Sequence, residues 1–259
     1  MNTIKKILLP IDFSDSSLNA IKYVIGLAKN DTSVKCDLIY IGEKTLSEED
    51  QKIQLKKLQE LKSEYFNKAH VNCDVLVKTG ELNQVILDAK EDREADLIIM
   101  GTSGSTGDKD SSNTSELLAK AECPVLVVPK NTSEFQLKNI ALAIDDKDFD
   151  DSSNLGVIHD FARWFDAKVH LLTIENENSP AKPNSNAETL EYYLDTLDYR
   201  HSFEKNTDIE KGLNDYIIQK EIDILAIMPR MHAKNSKPSE GKLLKTLALN
   251  CIKPLLVID

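Results

Sequence analysis

Two runs decide the fold: Asp96-Leu97-Ile98-Ile99-Met100-Gly101-Thr102-Ser103-Gly104 and Cys123-Pro124-Val125-Leu126-Val127-Val128-Pro129. The first is apolar for long enough to make one buried strand and breaks at its glycines. Small polar residues from Ser105 to Asn113 then lead into a short helical pattern, and the second run closes the unit as another strand. A buried strand, a glycine turn, a loop of exposed amides and a helix N-terminus can together cradle an anion.

Working outward, Lys6-Ile7-Leu8-Leu9-Pro10-Ile11-Asp12 is an apolar run that ends in an acid. Ser14-Asp15-Ser16-Ser17 offers helix caps, and Leu18, Ile21, Ile25 and Ala28 follow at helical spacing. Lys35 to Ile41 reads as a strand ended by Gly42, and Ser47 to Lys68 as a long helix with Leu58, Leu61 and Tyr65 on one face. Val71 to Lys78 reads as a strand nearer the sheet edge. After Gly80, Leu82, Val85, Ile86 and Ala89 mark another amphipathic helix. Strands alternating with helices mean a parallel sheet covered on both faces, with ligands at the carboxyl ends of strands near a topological switch point. Those ends carry Asp12, Ile41 and Gly101.

The second half repeats the first. Asn139 to Asp145 answers Lys6 to Asp12, and Ala167 to Ile174 is the second strand again. Ile222 to Met228 answers Ala95 to Met100, and Lys253 to Ile258 answers Cys123 to Val128. The offsets from Asp12 to Asp145, Asp96 to Asp223 and Pro124 to Pro254 are 133, 127 and 130, so whole domains are repeated with small insertions. Two tandem α/β domains are expected, residues 1–134 and 135–259, divided in the polar run Lys130-Asn131-Thr132-Ser133-Glu134.

The net charge of −11 is shared evenly: 17 Lys and Arg against 22 acids in residues 1–134, and 15 against 21 in the rest. With no basic tract, neither nucleic acid nor an anionic membrane surface is expected as a partner. No apolar run approaches the roughly 18 residues of a membrane span, and the N-terminal run is too short for a secretory segment. Cys36, Cys73, Cys123 and Cys251 are far apart, and buried reduced thiols fit them better than bridges or zinc ligands. A cytoplasmic protein is expected.

Ile7 to Asp12 with its Ser-rich helix start, Ala95 to Gly104, and Cys123 to Pro129 resemble the universal stress protein family, and the resemblance spans nearly all of both halves. It implies five-stranded sheets of order 3-2-1-4-5 and, in many members, ATP bound at the strand ends with Mg²⁺. By position, Asp12 would contact ribose and adenine, Ile41 would wall the base through its backbone, and Pro10 and Met100 would line it. Gly101 and Gly104 would let amides approach the phosphates. Ser111 aligns with the motif's third glycine and Ser112 with its Ser/Thr, and Ser112 and Asn113 would start the fourth helix over the phosphates.

The sequence also departs from that pattern. Only six residues, Ser105 to Asp110, separate Gly104 from Ser111 where the family has nine. Three residues fewer removes about 10 Å of reach. A left-handed Ser111 would cost roughly 1–2 kcal/mol. Asp108 and Asp110 add negative charge, offset by Lys109, although Asn113 and Glu116 sit at capping-box spacing. In the second half Pro229-Arg230-Met231-His232 follows Met228 with no glycine pair, so no nucleotide is expected there.

Other chemistries are excluded by spacing. Gly101-Thr102-Ser103-Gly104-Ser105 lacks the second glycine of a nucleophile elbow, and neither a Walker A motif nor Gly-x-Gly-x-x-Gly is present. Asp145 to Asp151 fails as an EF-hand, with Asp151 and Val157 where Gly and Glu belong. His70, His159, His170, His201 and His232 show no metal-ligand spacing; His232, beside Arg230, is the one that could meet an anion. The Ser/Thr-rich run Ser103 to Ser115 reads as a polar loop, with phosphate acceptance as the alternative.

The strands that close each half, Val125 to Pro129 and Leu255 to Ile258, are apolar and lie at sheet edges in the family order, a hazard unless covered. Pairing them within the chain gives an intramolecular pseudo-dimer and leaves a further homodimer open. Two functions follow: an adenine-nucleotide sensor using the first domain, with at most slow hydrolysis because no general base or metal cage is evident, or a scaffold acting through protein contacts. An enzyme of different chemistry on this shared fold is a third class.

Overall fold

Leu8 and Leu9 are both fully buried but on opposite faces of β1 (Lys6–Pro10), as a parallel strand covered on two sides requires. In this computed structural model, which describes residues 4–31, 33–42, 46–103, 108–132, 134–144, 155–175, 194–228, 238–250 and 252–258, β1 is central to the first half. It lies between β2 (Lys35–Gly42) and β4 (Leu97–Thr102). β3 (Asn72–Thr79) lies outside β2, and β5 (Val125–Pro129) outside β4, all parallel.

The second half repeats the order with β6 (Asn139–Ala143), β7 (Lys168–Glu175), β8 (Tyr199–Lys205), β9 (Ile224–Ile227) and β10 (Leu255–Val257). β10 pairs antiparallel with β5 through Leu255↔Val127, Leu256↔Leu126 and Val257↔Val125. The two apolar edges thereby cover each other, and one ten-stranded sheet results, ordered β3-β2-β1-β4-β5-β10-β9-β6-β7-β8. The strand reading of the second half missed β8, whose Tyr199-Arg200-His201-Ser202-Phe203-Glu204-Lys205 is an outer strand with few buried side chains to reveal it.

Seven helices are described: α1 (Asp15–Ala28), α2 (Glu48–Leu61), α3 (Leu82–Arg93), α4 (Asp108–Lys120), α5 (Gly156–Phe165), α6 (Ile209–Gln219) and α7 (Pro238–Asn250). One face of the sheet packs against α1 and α5 through Ile21, Val24, Leu27 and Phe161. The other packs against α3, α4, α6 and α7 through Ile86, Leu117, Leu213 and Leu247, with α4 against α7 across the junction.

Two helix expectations are corrected. The helix from Ser47 does not run evenly to Lys68: Ser47 caps α2 by accepting Asp50 N–H at 3.1 Å, but a π-helical turn, Lys62–Asn67, follows it and delivers Phe66 into the core. The fourth helix starts at Asp108 rather than at Ser112 and Asn113, so the Asn113–Glu116 pair lies inside it and caps nothing. Ser111 is therefore helical, not left-handed. Acidic residue types suit a helix amino end, which explains why Asp108-Lys109-Asp110 begins one.

Candidate functional site

β1 and β4 are neighbours at the point where the strand order reverses, and they pair only through Ile7↔Leu97 and Leu8↔Ile98. Both strands continue further, β1 to Pro10 and β4 to Thr102, so their carboxyl ends run on unpaired with each other at the switch point, where sheets of this kind take ligands. Met100 and Ile41 belong to the α3–α4 side of the sheet, and Pro10 shares that side by strand alternation with Leu8. The apolar residues expected to line the site thus face one way.

Asp12 stands exposed just past β1. The chain turns sharply there because Phe13 takes a left-handed φ of 64°, a conformation costing a bulky residue roughly 1–3 kcal/mol. Phe13 is held by Tyr40, whose ring centroid lies 5.4 Å away, and by Lys57, whose Nζ sits 5.3 Å above its ring. The turn presents Ser14 N–H and Oγ–H to Asp12 Oδ1 at 2.9 and 2.6 Å, while Ser14 Oγ caps α1 by accepting Ser17 N–H at 3.3 Å. Partial burial would raise the Asp12 carboxyl, but bonds from the Ser14 and Ser17 side chains and from the Ser14 and Asp12 amides outweigh it and hold the group below the ordinary aspartate value. Asp12 is therefore a fixed carboxylate, its Oδ1 accepting from both the amide and the hydroxyl of Ser14.

Gly101 meets the same turn from β4. A Cβ there would lie 2.1 Å from the carbonyl oxygen of Ser16 and 2.7 Å from the amide nitrogen of Ser17. The glycine lets the first turn of α1 press onto β4, which ties the Asp12 turn to the strand end. Gly104 lies outside the described residues. Ser111 and Ser112 fall in the first turns of α4, and Asn113, half-buried, follows them.

The sequence reading missed Ser14, Phe13, Tyr40 and Asn83. Only Ser14 had a signal, as a cap candidate. Asn83, in the first turn of α3, is fully buried, and after Lys120 its side chain helps hold the Glu116 carboxylate of α4 below the ordinary glutamate value.

Chemical reactivity is otherwise muted. Burial pushes the Cys123 thiol up to about 11 and holds Cys36 well above the usual range, so neither is a ready nucleophile. Cys36, Cys73 and Cys123 are buried and free, and Cys251 lies outside the described residues. Among the described residues no group of three His, Cys, Asp or Glu side chains could hold a metal, and no helix is long and apolar enough to cross a membrane. Asp145 to Asp151 and His232 lie outside the described residues.

Comparison with known proteins agrees with this architecture. The model of the Universal stress protein family matches residues 3–129. A universal stress protein of Methanocaldococcus jannaschii is 34% identical over 152 residues, covering 51% of this chain and 86% of that protein. Among solved structures, a universal stress protein of Archaeoglobus fulgidus superposes with a TM-score of 0.71 at 13% identity, over 98% of this chain and 96% of that one. A protein from Pseudomonas aeruginosa described as a universal stress protein gives 0.66 at 17% identity, over 98% and 93%. At those identities the structures establish the fold alone; the sequence match to the M. jannaschii protein carries the family. With the carboxylate after β1 and two copies of the 3-2-1-4-5 sheet, the chain belongs to the universal stress protein family as a tandem two-domain member.

Proposed function

We propose that this stress-response protein binds an adenine nucleotide, ATP or AMP, at the carboxyl edge of its first domain and works as a sensor in the cytoplasm. Residues 1–134 form the binding domain and residues 135–259 a second domain without nucleotide. The observation that carries the reading is the switch point where β1 and β4 cease to pair, with Asp12 held just past β1 through Oδ1. In this reading Asp12 Oδ2 takes the ribose hydroxyls, and Pro10, Ile41 and Met100 line the base. The phosphates, with Mg²⁺ for a triphosphate, meet the turn Gly101 to Gly104 and the first amides of α4, where Ser111, Ser112 and Asn113 follow. With no general base evident in the sequence, turnover is at most slow.

Heat-denaturing the purified protein and examining the supernatant for an adenine spectrum and a nucleotide mass is the first test. A thermal shift with ATP and Mg²⁺ is the second: ligand at about 100 times its dissociation constant adds roughly 2.7 kcal/mol. Asp12→Ala removes the shift if the reading is right. Neither released nucleotide nor a shift in the wild type would leave the alternative, a scaffold working through protein contacts, which a pair of exposed isoleucines in the second domain favours.

A further inference from the structure

The repeat supplies its own control for a patch on the second domain. Ala95 N–H bonds to Lys90 O at 2.9 Å, and Ile222 N–H bonds to Ile217 O at 3.0 Å. Glu94 and Glu221 take the same left-handed φ, 53° and 51°. Asp96 and Asp223 each accept two amides that open the central strand, from Lys5 and Lys6 in one half and from Lys138 and Asn139 in the other. Ile98 N–H and Leu225 N–H bond to Pro124 O and Pro254 O. Ile217, Ile218 and Ile252 therefore occupy the positions of Lys90, Glu91 and Glu122.

In the first domain these positions are charged, and Lys90 pairs with Glu91. In the second they are isoleucines, with Ile218 67% and Ile252 48% exposed. The fold does not require apolar groups there, since its other copy carries ions at the same sites. Large exposed apolar residues kept against that alternative mark a surface that something covers.

Between these residues lies a groove of about 440 Å³ at the junction of the domains. Tyr23 of α1 and Ile217 line it with the two exposed isoleucines, and Glu134, Glu221 and Asp223 outnumber the single cation, Lys253. A second copy of this chain, at net charge −11, would bring mostly like charge to these carboxylates. We propose that the junction groove docks a basic, amphipathic segment of a partner protein, apolar side chains on Ile218 and Ile252 and a Lys or Arg among the three carboxylates. This does not depend on nucleotide binding, since none of the residues lining the groove is one that the nucleotide reading uses.

The test uses the full-length protein and two labelled peptides, a short helical leucine–lysine peptide and its leucine–glutamate counterpart, in fluorescence anisotropy at physiological ionic strength. The leucine–lysine peptide binds and the leucine–glutamate peptide does not. The double variant Ile218→Glu, Ile252→Glu installs the residue types that the first domain tolerates at these positions, and thermal unfolding checks that it folds. It adds two negative charges, which would tighten a purely electrostatic attachment, whereas docking on the isoleucines predicts binding weaker by roughly tenfold or more. Its response to ATP matches the wild type, which separates this proposal from the nucleotide reading. Unchanged or tighter binding by the variant, equal binding of both peptides, or no binding by the wild type overturns the proposal. So does a wild-type dimer in sedimentation that the variant abolishes, because the occupant would then be a second copy.

Discussion

Asp37 and His170 occupy the same position on the second strand of each half and meet opposite partners. Asp37, almost wholly buried, is held by Arg93 from α3 through Nε at 2.7 Å and Nη2 at 3.0 Å, and Arg93 Nη2 also reaches Asp74 on β3 at 2.8 Å. In the second half His170 replaces Asp37, Arg200 replaces Asp74, and Lys220 stands for Arg93. Arg93→Ala would strand a buried carboxylate, and a loss of about 3–5 kcal/mol is expected in denaturant unfolding. Arg93→Lys restores little, because an ammonium cannot replace the two-point grip. His170 obeys the reverse logic. Burial first, then Arg200, Lys168 and Lys220, lower its pKa to about 4, against a smaller opposing pull from Asp198. Arg200 Nη2 lies 3.3 Å from Nδ1 and can only donate, which fits a neutral ring; the Tyr216 hydroxyl lies 2.9 Å from the same atom. The unfolded chain takes up this proton near pH 6.5 and the native state near 4, so the contribution of neutral His170 is complete above about 6.5 and is lost as pH falls toward 4. The loss amounts to roughly 3 kcal/mol. Unfolding of the wild type and His170→Gln at pH 7 and pH 4.5 checks it: the wild type should lose more stability than the variant between the two.

At the scale of elements, glycines set how closely the helices lie. A Cβ on Gly26 of α1 would meet the Phe135 ring at 2.2 Å, and that ring packs between Tyr23 and Phe165 at 5.3 and 5.1 Å. Gly26→Val is expected to expel Phe135 and cost about 1–3 kcal/mol by overpacking. Ala at 101 meets backbone rather than a side chain, so Gly101→Ala should shift the start of α1, loosen the Asp12 turn and weaken any nucleotide shift more than it lowers the melting temperature. Glycine positions were legible in the sequence, but their packing was not: beside the phosphate access that the resemblance implies for Gly101, its closest neighbour is a helix it follows by some 85 residues. The strands of the first half were legible because Ile7 to Leu9 and Leu97 to Met100 are buried on both faces and need unbroken apolar runs. β8 was not, because an outer strand needs only partial burial. The start of α4 was missed because Asn113 and Glu116 form a sound cap locally, while the shortened loop lets the helix begin earlier. Asp12 was legible as an acid ending a strand; the Phe13 turn that aims it was not, since a left-handed phenylalanine has no sequence signature.

For the whole molecule, the junction of β5 and β10 decides how many units unfold and whether the chain pairs with itself. Val125, Leu126 and Val127 lose both their solvent and their free edge to Val257, Leu256 and Leu255, and α4 packs on α7 beside them. One sheet and two cores that each span both halves imply a single cooperative transition, with equal calorimetric and van't Hoff enthalpies. Two separated transitions would contradict it. The same geometry yields a sharper expectation for residues 1–134 expressed alone, a unit with five strands, four helices and nearly the span of the family model. Without β10 its β5 presents an apolar edge, and a second copy can supply the missing antiparallel neighbour in the register that β10 uses. The fragment should sediment as a dimer, whereas the intact chain, its edge filled from within, should not dimerise through β5. A cross-link between cysteines placed at position 126 of two fragments tests the arrangement, because Leu126 faces Leu256 near the centre of the natural pairing. A monodisperse fragment monomer with its native secondary structure would show that β5 tolerates an open edge, and the internal pairing would then be a consequence of the tandem fold rather than its reason.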